Sequence, residues 1–140
     1  MEVGRMSDQD FLTAFEEGQL DAFKHIDHIR MTWIYLATHD FEQAIRSIIS
    51  GIRNFAAIKN ATGLYHETIT LFWIGMVAGA IEQTPADSFA EFISRNQQLA
   101  RKDYLFEFYS RELVMSDAAR RAWVSPDLKP MHPACSVEAR

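Results

Sequence analysis

The chain has 140 residues, with 14 Lys+Arg against 19 Asp+Glu, a formal net charge of −5 and a hydrophobic share of 48%. That length is enough for one core and one domain, and the apolar content excludes a disordered chain. The acidic balance argues against a nucleic-acid binder, which needs a basic face to displace counterions from phosphate.

Cys135 is the single cysteine, so no internal disulfide can form, which fits a reducing cytosol. Met1 to Asp10 lacks the apolar run of a signal peptide, and the longest apolar stretch, Leu71 to Ile81, is about half of the ~20 residues that cross a bilayer. A cytoplasmic protein without membrane contact is expected.

In chain order, Ser7 with Asp10 three residues on marks the start of a short first helix through Phe11, Leu12 and Phe15, ended by Gly18. A second helix is predicted from about Asp21 to His39. Asp40 caps a third, where Phe41, Ala44, Ile45, Ile48, Ile52, Phe55 and Ala56 recur at i, i+3/i+4 spacing as one apolar stripe. Asn60 to Gly63 supplies the stop, with Asn60 or Gly63 taking positive φ. The fourth helix, about Leu64 to Gln83, is apolar on nearly every side and should be central. Within it, Gly75 and Gly79 have the small-xxx-small spacing that suits close packing of another helix.

Thr84-Pro85-Ala86-Asp87 carries the cap, first-position proline and early acid of a fifth helix that buries Phe89, Phe92 and Ile93. Asn96, on the same face, is either a buried polar partner or the point where the stripe meets water. Ser116 caps a last short helix near Trp123. Pro126, Pro130 and Pro133 forbid a regular element beyond Ser125, so residues 129–140 are expected as an extended tail with an unstructured His132 and an exposed Cys135. The predicted fold is all-α: a single-domain helical bundle over residues 1–128, with four principal helices plus short terminal helices.

The polar residues with chemical potential are histidines. His25 and His28, at i, i+3, share one flank of the apolar stripe of Ile26, Ile29, Trp33 and Leu36, with Thr32 between them, while Asp27 should face water. His66 heads the fourth helix's stripe of Thr70, Trp73, Val77 and Ile81, and Glu67 lies beside Leu71 and Ile74. An HxxH pair and a His-Glu pair on facing helices can build a divalent-metal site with open coordination positions. In that reading His25, His28 and His66 are ligands. Glu67 is a fourth ligand or the general base for metal-bound water, and Tyr65 and Thr70 orient the imidazoles. A buried histidine can equally serve a backbone carbonyl or a tyrosine, and HxxH alone is a weak motif.

Three stretches resemble the signatures of a family of short bacterial helical proteins of unassigned function. They are Phe23-Lys24-His25-Ile26-Asp27-His28-Ile29-Arg30 with Trp33 and Tyr35-Leu36; Tyr65-His66-Glu67-Thr68-Ile69-Thr70; and Tyr109-Ser110 through Ala119-Arg120 to Trp123-Val124 and Pro126-Asp127-Leu128. The resemblance covers roughly residues 20 to 130. It implies no activity, but polar signatures centred on His25, His28, His66, Glu67 and Thr70 favour a site over a purely structural bundle.

Met31 and Ile34 point away from the main stripe of the second helix and suggest the surface of a homodimer. Two functions follow. One is a small metal-binding protein, extending to a metalloenzyme acting on a small molecule. The other is a non-catalytic, dimeric ligand- or partner-binding helical module whose histidines are core groups.

Overall fold

A computed structural model describes residues 6–137, so the first five residues and the last three of the expected tail lie outside the described set. Among the described residues all regular structure is helical, as the patterning predicts. The chain divides into two compact units, Met1–Tyr65 and His66–Arg140.

The first unit contains α1 (Asp8–Glu16), α2 (His25–Thr38), α3 (Phe41–Ile58) and a 3-10 turn, Thr62–Leu64. Ser7 caps α1 by accepting from the Asp10 amide at 3.1 Å, and Asp40 caps α3 by accepting from Gln43 at 2.8 Å. Gly18 (φ 68°) ends the α1 segment and Asn60 (φ 57°) the α3 segment, so of the two turn candidates Asn60 takes the left-handed position. At Gly18 a Cβ would also lie 2.6 Å from Ile58 Cδ1, so both backbone and space select glycine there.

Helix α2 begins four residues later than the sequence suggests. Asp27 does not simply face water; its carboxylate turns back and accepts from the Lys24 amide at 2.9 Å, which fixes the helix start. Helices α2 and α3 pack together, and α1 lies against both. Between them Phe15 stacks on Phe23 (5.0 Å) and Phe55 (5.7 Å). Arg30 ties α2 to the start of α1, donating to Met6 O at 2.6 Å and Asp8 Oδ1 at 3.2 Å with its guanidinium over the Phe11 ring. The Tyr35 hydroxyl donates to Glu16, and burial together with that carboxylate holds the phenol far above its ordinary pKa. One expectation is corrected: Met31 and Ile34 are buried, because α2 is covered around most of its circumference from Ile29 to Tyr35. They form no exposed dimer surface.

The second unit contains α4 (Glu67–Gln83), α5 (Phe89–Arg95), 3-10 turns at Gln97–Ala100 and Lys102–Glu107, α6 (Arg111–Val114), α7 (Asp117–Arg121) and a final turn at Pro133–Cys135. Helix α4 is buried continuously from Phe72 to Ala80 and is the core of this unit. Thr84 is not the cap of α5. It closes α4, its hydroxyl donating to Ala80 O at 2.8 Å, and Ser88 caps α5 instead through the Glu91 amide at 3.1 Å. Asn96 is the buried polar partner, its amide nitrogen donating to Phe92 O (2.9 Å) and Thr84 Oγ1 (3.0 Å), which breaks the apolar face after Arg95.

The segment after Leu128 is extended except for its last turn, yet it is docked. Cys135 is buried against α4: a Cβ on Gly75 would stand 2.1 Å from the Cys135 carbonyl oxygen, and one on Gly79 would stand 2.4 Å from its Sγ. The two glycines do mark a close contact, but the partner is a strap and not another helix. His132 is ordered too, its Nδ1 accepting from the Ala134 amide at 3.0 Å and its ring meeting the Gln83 side chain at 3.1 Å. Proline forbids a helix in this stretch; it does not forbid packing.

Candidate functional site

His66 stands one residue before α4, as its N-cap, and not inside the helix. Its Nδ1 accepts from the Ile69 amide at 3.2 Å, so the ring proton sits on Nε2, which donates to Val114 O at 2.6 Å. Both nitrogens are committed. Burial, reinforced by the charge of Arg120, lowers its pKa, which keeps the ring in the neutral form that this arrangement requires. Replacing His66 with asparagine should preserve the cap and lose the bond to Val114, destabilising the protein by roughly 1–2 kcal/mol in urea denaturation. A cost indistinguishable from zero would contradict the double role.

The rest of this signature also makes contacts within the fold. Thr68 accepts from the Val124 amide (3.1 Å) and donates to Ala122 O (2.9 Å), while Thr70 donates to His66 O (2.7 Å). Glu67 is the first residue of α4, where its charge complements the helix dipole. In the first unit the Tyr65 ring takes the Arg53 guanidinium at 4.5 Å. The third signature closes on itself. Tyr109 donates to Val124 O (2.6 Å), the Ser110 amide to Asp127 (2.7 Å) and the Leu128 amide to Phe108 O (2.9 Å). These bonds from Ser110 hold the Asp127 carboxyl below its usual range.

His25 and His28 stand edge-to-face on α2 with ring centroids 6.5 Å apart. The intervening Thr32 bonds the His28 carbonyl at 2.8 Å, not an imidazole. His28 Nε2 is sealed from solvent and has no hydrogen-bond partner, and burial followed by the charge of His25 lowers its pKa to about 4. Among the described residues no group of three or more His, Cys, Asp or Glu side chains is placed to hold a metal ion.

A different feature has the shape of a binding site. In the second unit a cleft of about 520 Å³ opens between α4, the turns that follow α5, and the strap. Met76, Ala80, Leu99 and Phe108 supply its apolar surface. Thr84, Asn96, Gln98 and Tyr104 supply polar groups, and Lys129 to Pro133 with Cys135 form the wall. Burial, then the Glu107 carboxylate, raise the Tyr104 pKa and keep its hydroxyl a donor. Sequence patterning misses this cleft because its residues come from four separated segments with no common spacing. The Gly75/Gly79 pair is the one local clue that something docks on α4.

In the first unit a smaller groove of about 290 Å³, lined by Phe23, Ile52, Phe55, Ala56 and Leu64 among others, is nearly all apolar. Among the described residues no helix is long and apolar enough to cross a membrane. Compared with known protein families, characterised proteins and solved structures, the chain finds no significant match in any of the three.

Proposed function

We propose that this chain is a small-molecule-binding helical module, with the cleft of the second unit as its ligand site and its histidines serving the fold. The cleft itself carries the reading. Its volume of about 520 Å³ falls within the roughly 300–1,000 Å³ usual for ligand pockets, and it pairs an apolar surface with a few convergent polar groups. Within the second and third signatures, His66 bonds Val114, Thr68 ties α4 to Ala122 and Val124, and Ser110 bonds Asp127, which supports a fold role for these polar groups.

Ligand-observed NMR with a mixed set of acidic, neutral and basic fragments tests the site. Binders should compete for one place and be lost in Ala80→Leu, which fills the cleft from α4. Binders that survive that substitution would move the site elsewhere.

A divalent-metal reading retains one favourable observation, the unpartnered Nε2 of His28 beside His25. With His66 as third ligand and Glu67 as base, it requires His66 to give up the bond Nδ1 accepts from Ile69, while Nε2 can go on donating to Val114 O. Metal analysis after equilibration with Zn, Mn, Fe or Ni separates the two. Stoichiometric metal that is absent in His28→Ala would favour the metal reading.

A further inference from the structure

Most polar groups of the cleft satisfy one another. The Asn96 amide hydrogens go to Phe92 O and Thr84 Oγ1, and the Thr84 hydroxyl goes to Ala80 O. His132 accepts from the Ala134 amide at Nδ1, so its proton is on Nε2 and the Gln83 amide must turn its oxygen toward the ring. Beside the Gln98 side-chain amide, which can donate or accept and so discriminates no charge, two donors are left over. The Tyr104 hydroxyl makes no hydrogen bond to a described residue. Lys129 Nζ hangs 4.8 Å above the Phe108 ring and lies 3.7 Å from Glu107, whose other carboxylate oxygen is held by Arg101 at 2.8 Å. No Asp or Glu among the described residues lines the cleft.

We propose that the cleft selects a small organic carboxylate with an apolar body, the carboxylate lying at Lys129 and Tyr104 and the body on Met76, Leu99 and Phe108. The inference rests on the reading of the cleft as the ligand site and assigns its chemistry. A carboxylate accepts from both of these donors and adds to the partial balance that Glu107, shared with Arg101, gives the lysine charge. A cation meets the Lys129 ammonium and finds no carboxylate in the cleft lining, since Glu107 lies outside it and is already shared between Lys129 and Arg101, and a neutral amide adds nothing to that balance.

Calorimetry with 4-phenylbutyrate, 4-phenylbutyramide and 4-phenylbutylamine tests the assignment. The acid should bind at least about tenfold more tightly than the amide, with the amine weakest. Lys129→Met should bring the acid to the level of the amide without weakening the amide, and Tyr104→Phe should weaken the acid about fivefold. Equal binding of acid and amide to the wild type, or a preference that survives Lys129→Met, overturns the proposal. The cleft itself still stands if the amide or amine binds and Ala80→Leu removes that binding. If none of the three binds and none slows modification of Cys135 by a thiol reagent, this proposal falls; the mixed fragment set then decides the cleft.

Discussion

Replacing Gly75 with alanine is expected to lift the strap off α4 while leaving the helix intact. The new methyl group would meet the Cys135 carbonyl oxygen at 2.1 Å, and a backbone atom cannot rotate out of the way as a side chain could. The helix gains about 1 kcal/mol from alanine over glycine, so any loss belongs to the docked segment. Overpacking of this kind costs roughly 1–3 kcal/mol, or about 5- to 150-fold in the equilibrium for strap opening. Cys135 is the sole cysteine and is 8% exposed, so its rate of modification by a thiol reagent reports that opening directly. The rate should rise by that factor in Gly75→Ala. It should stay unchanged in Gly63→Ala, where an added Cβ meets nothing within 4 Å. Equal rates in wild type and Gly75→Ala would mean that the segment is not seated in the glycine notch in solution.

The second large effect is expected at His28. Its pKa of about 4 in the folded chain, against 6.5 ordinarily, means that the unfolded chain binds more protons between those values. Stability contributed by the neutral ring is therefore complete above about pH 6.5, is lost as the pH falls toward 4, and changes no further below that. The span corresponds to about 3 kcal/mol. His66, also lowered, acts in the same direction. His28→Leu removes both the ionisation and the orphaned Nε2. Its advantage over wild type in urea denaturation should be roughly 1–2 kcal/mol at pH 7.5 and grow by about 2–3 kcal/mol toward pH 4.5. A constant difference between the two proteins across that range would show that His28 is solvated or partnered in solution.

Much of the architecture is legible in the residues. Ser7, Asp40 and Ser116 are caps where their spacing places them, and the apolar content of α4 foretells its central position. These features are local: a cap and its amide lie three residues apart, and helical periodicity needs only one turn to show. The failures share a non-local cause. Nothing around Thr84 distinguishes a residue that closes one helix from one that opens the next; the choice falls to Asn96, twelve positions away. Helical spacing placed Met31 and Ile34 on the outer face of α2, and only the packing of the chain shows that face covered. The histidines are the least legible. Periodicity puts His66 on an inward face, which is correct, but burial alone does not distinguish a metal ligand from a cap bonded to Val114 forty-eight residues on.

The seating of Cys135 in the α4 notch has a topological consequence. It closes a ring of about sixty residues that takes in α5, α6, α7 and the intervening turns. Because the entropy of closing a ring grows only slowly with its length, most of that cost is incurred once, when the strap seats, and contacts inside the ring then form at shorter effective range. The glycine notch thus acts as a non-covalent clasp for the second unit: with the strap seated the short helices are tethered at both ends, and with it released the end that follows Leu128 loses its anchor on α4.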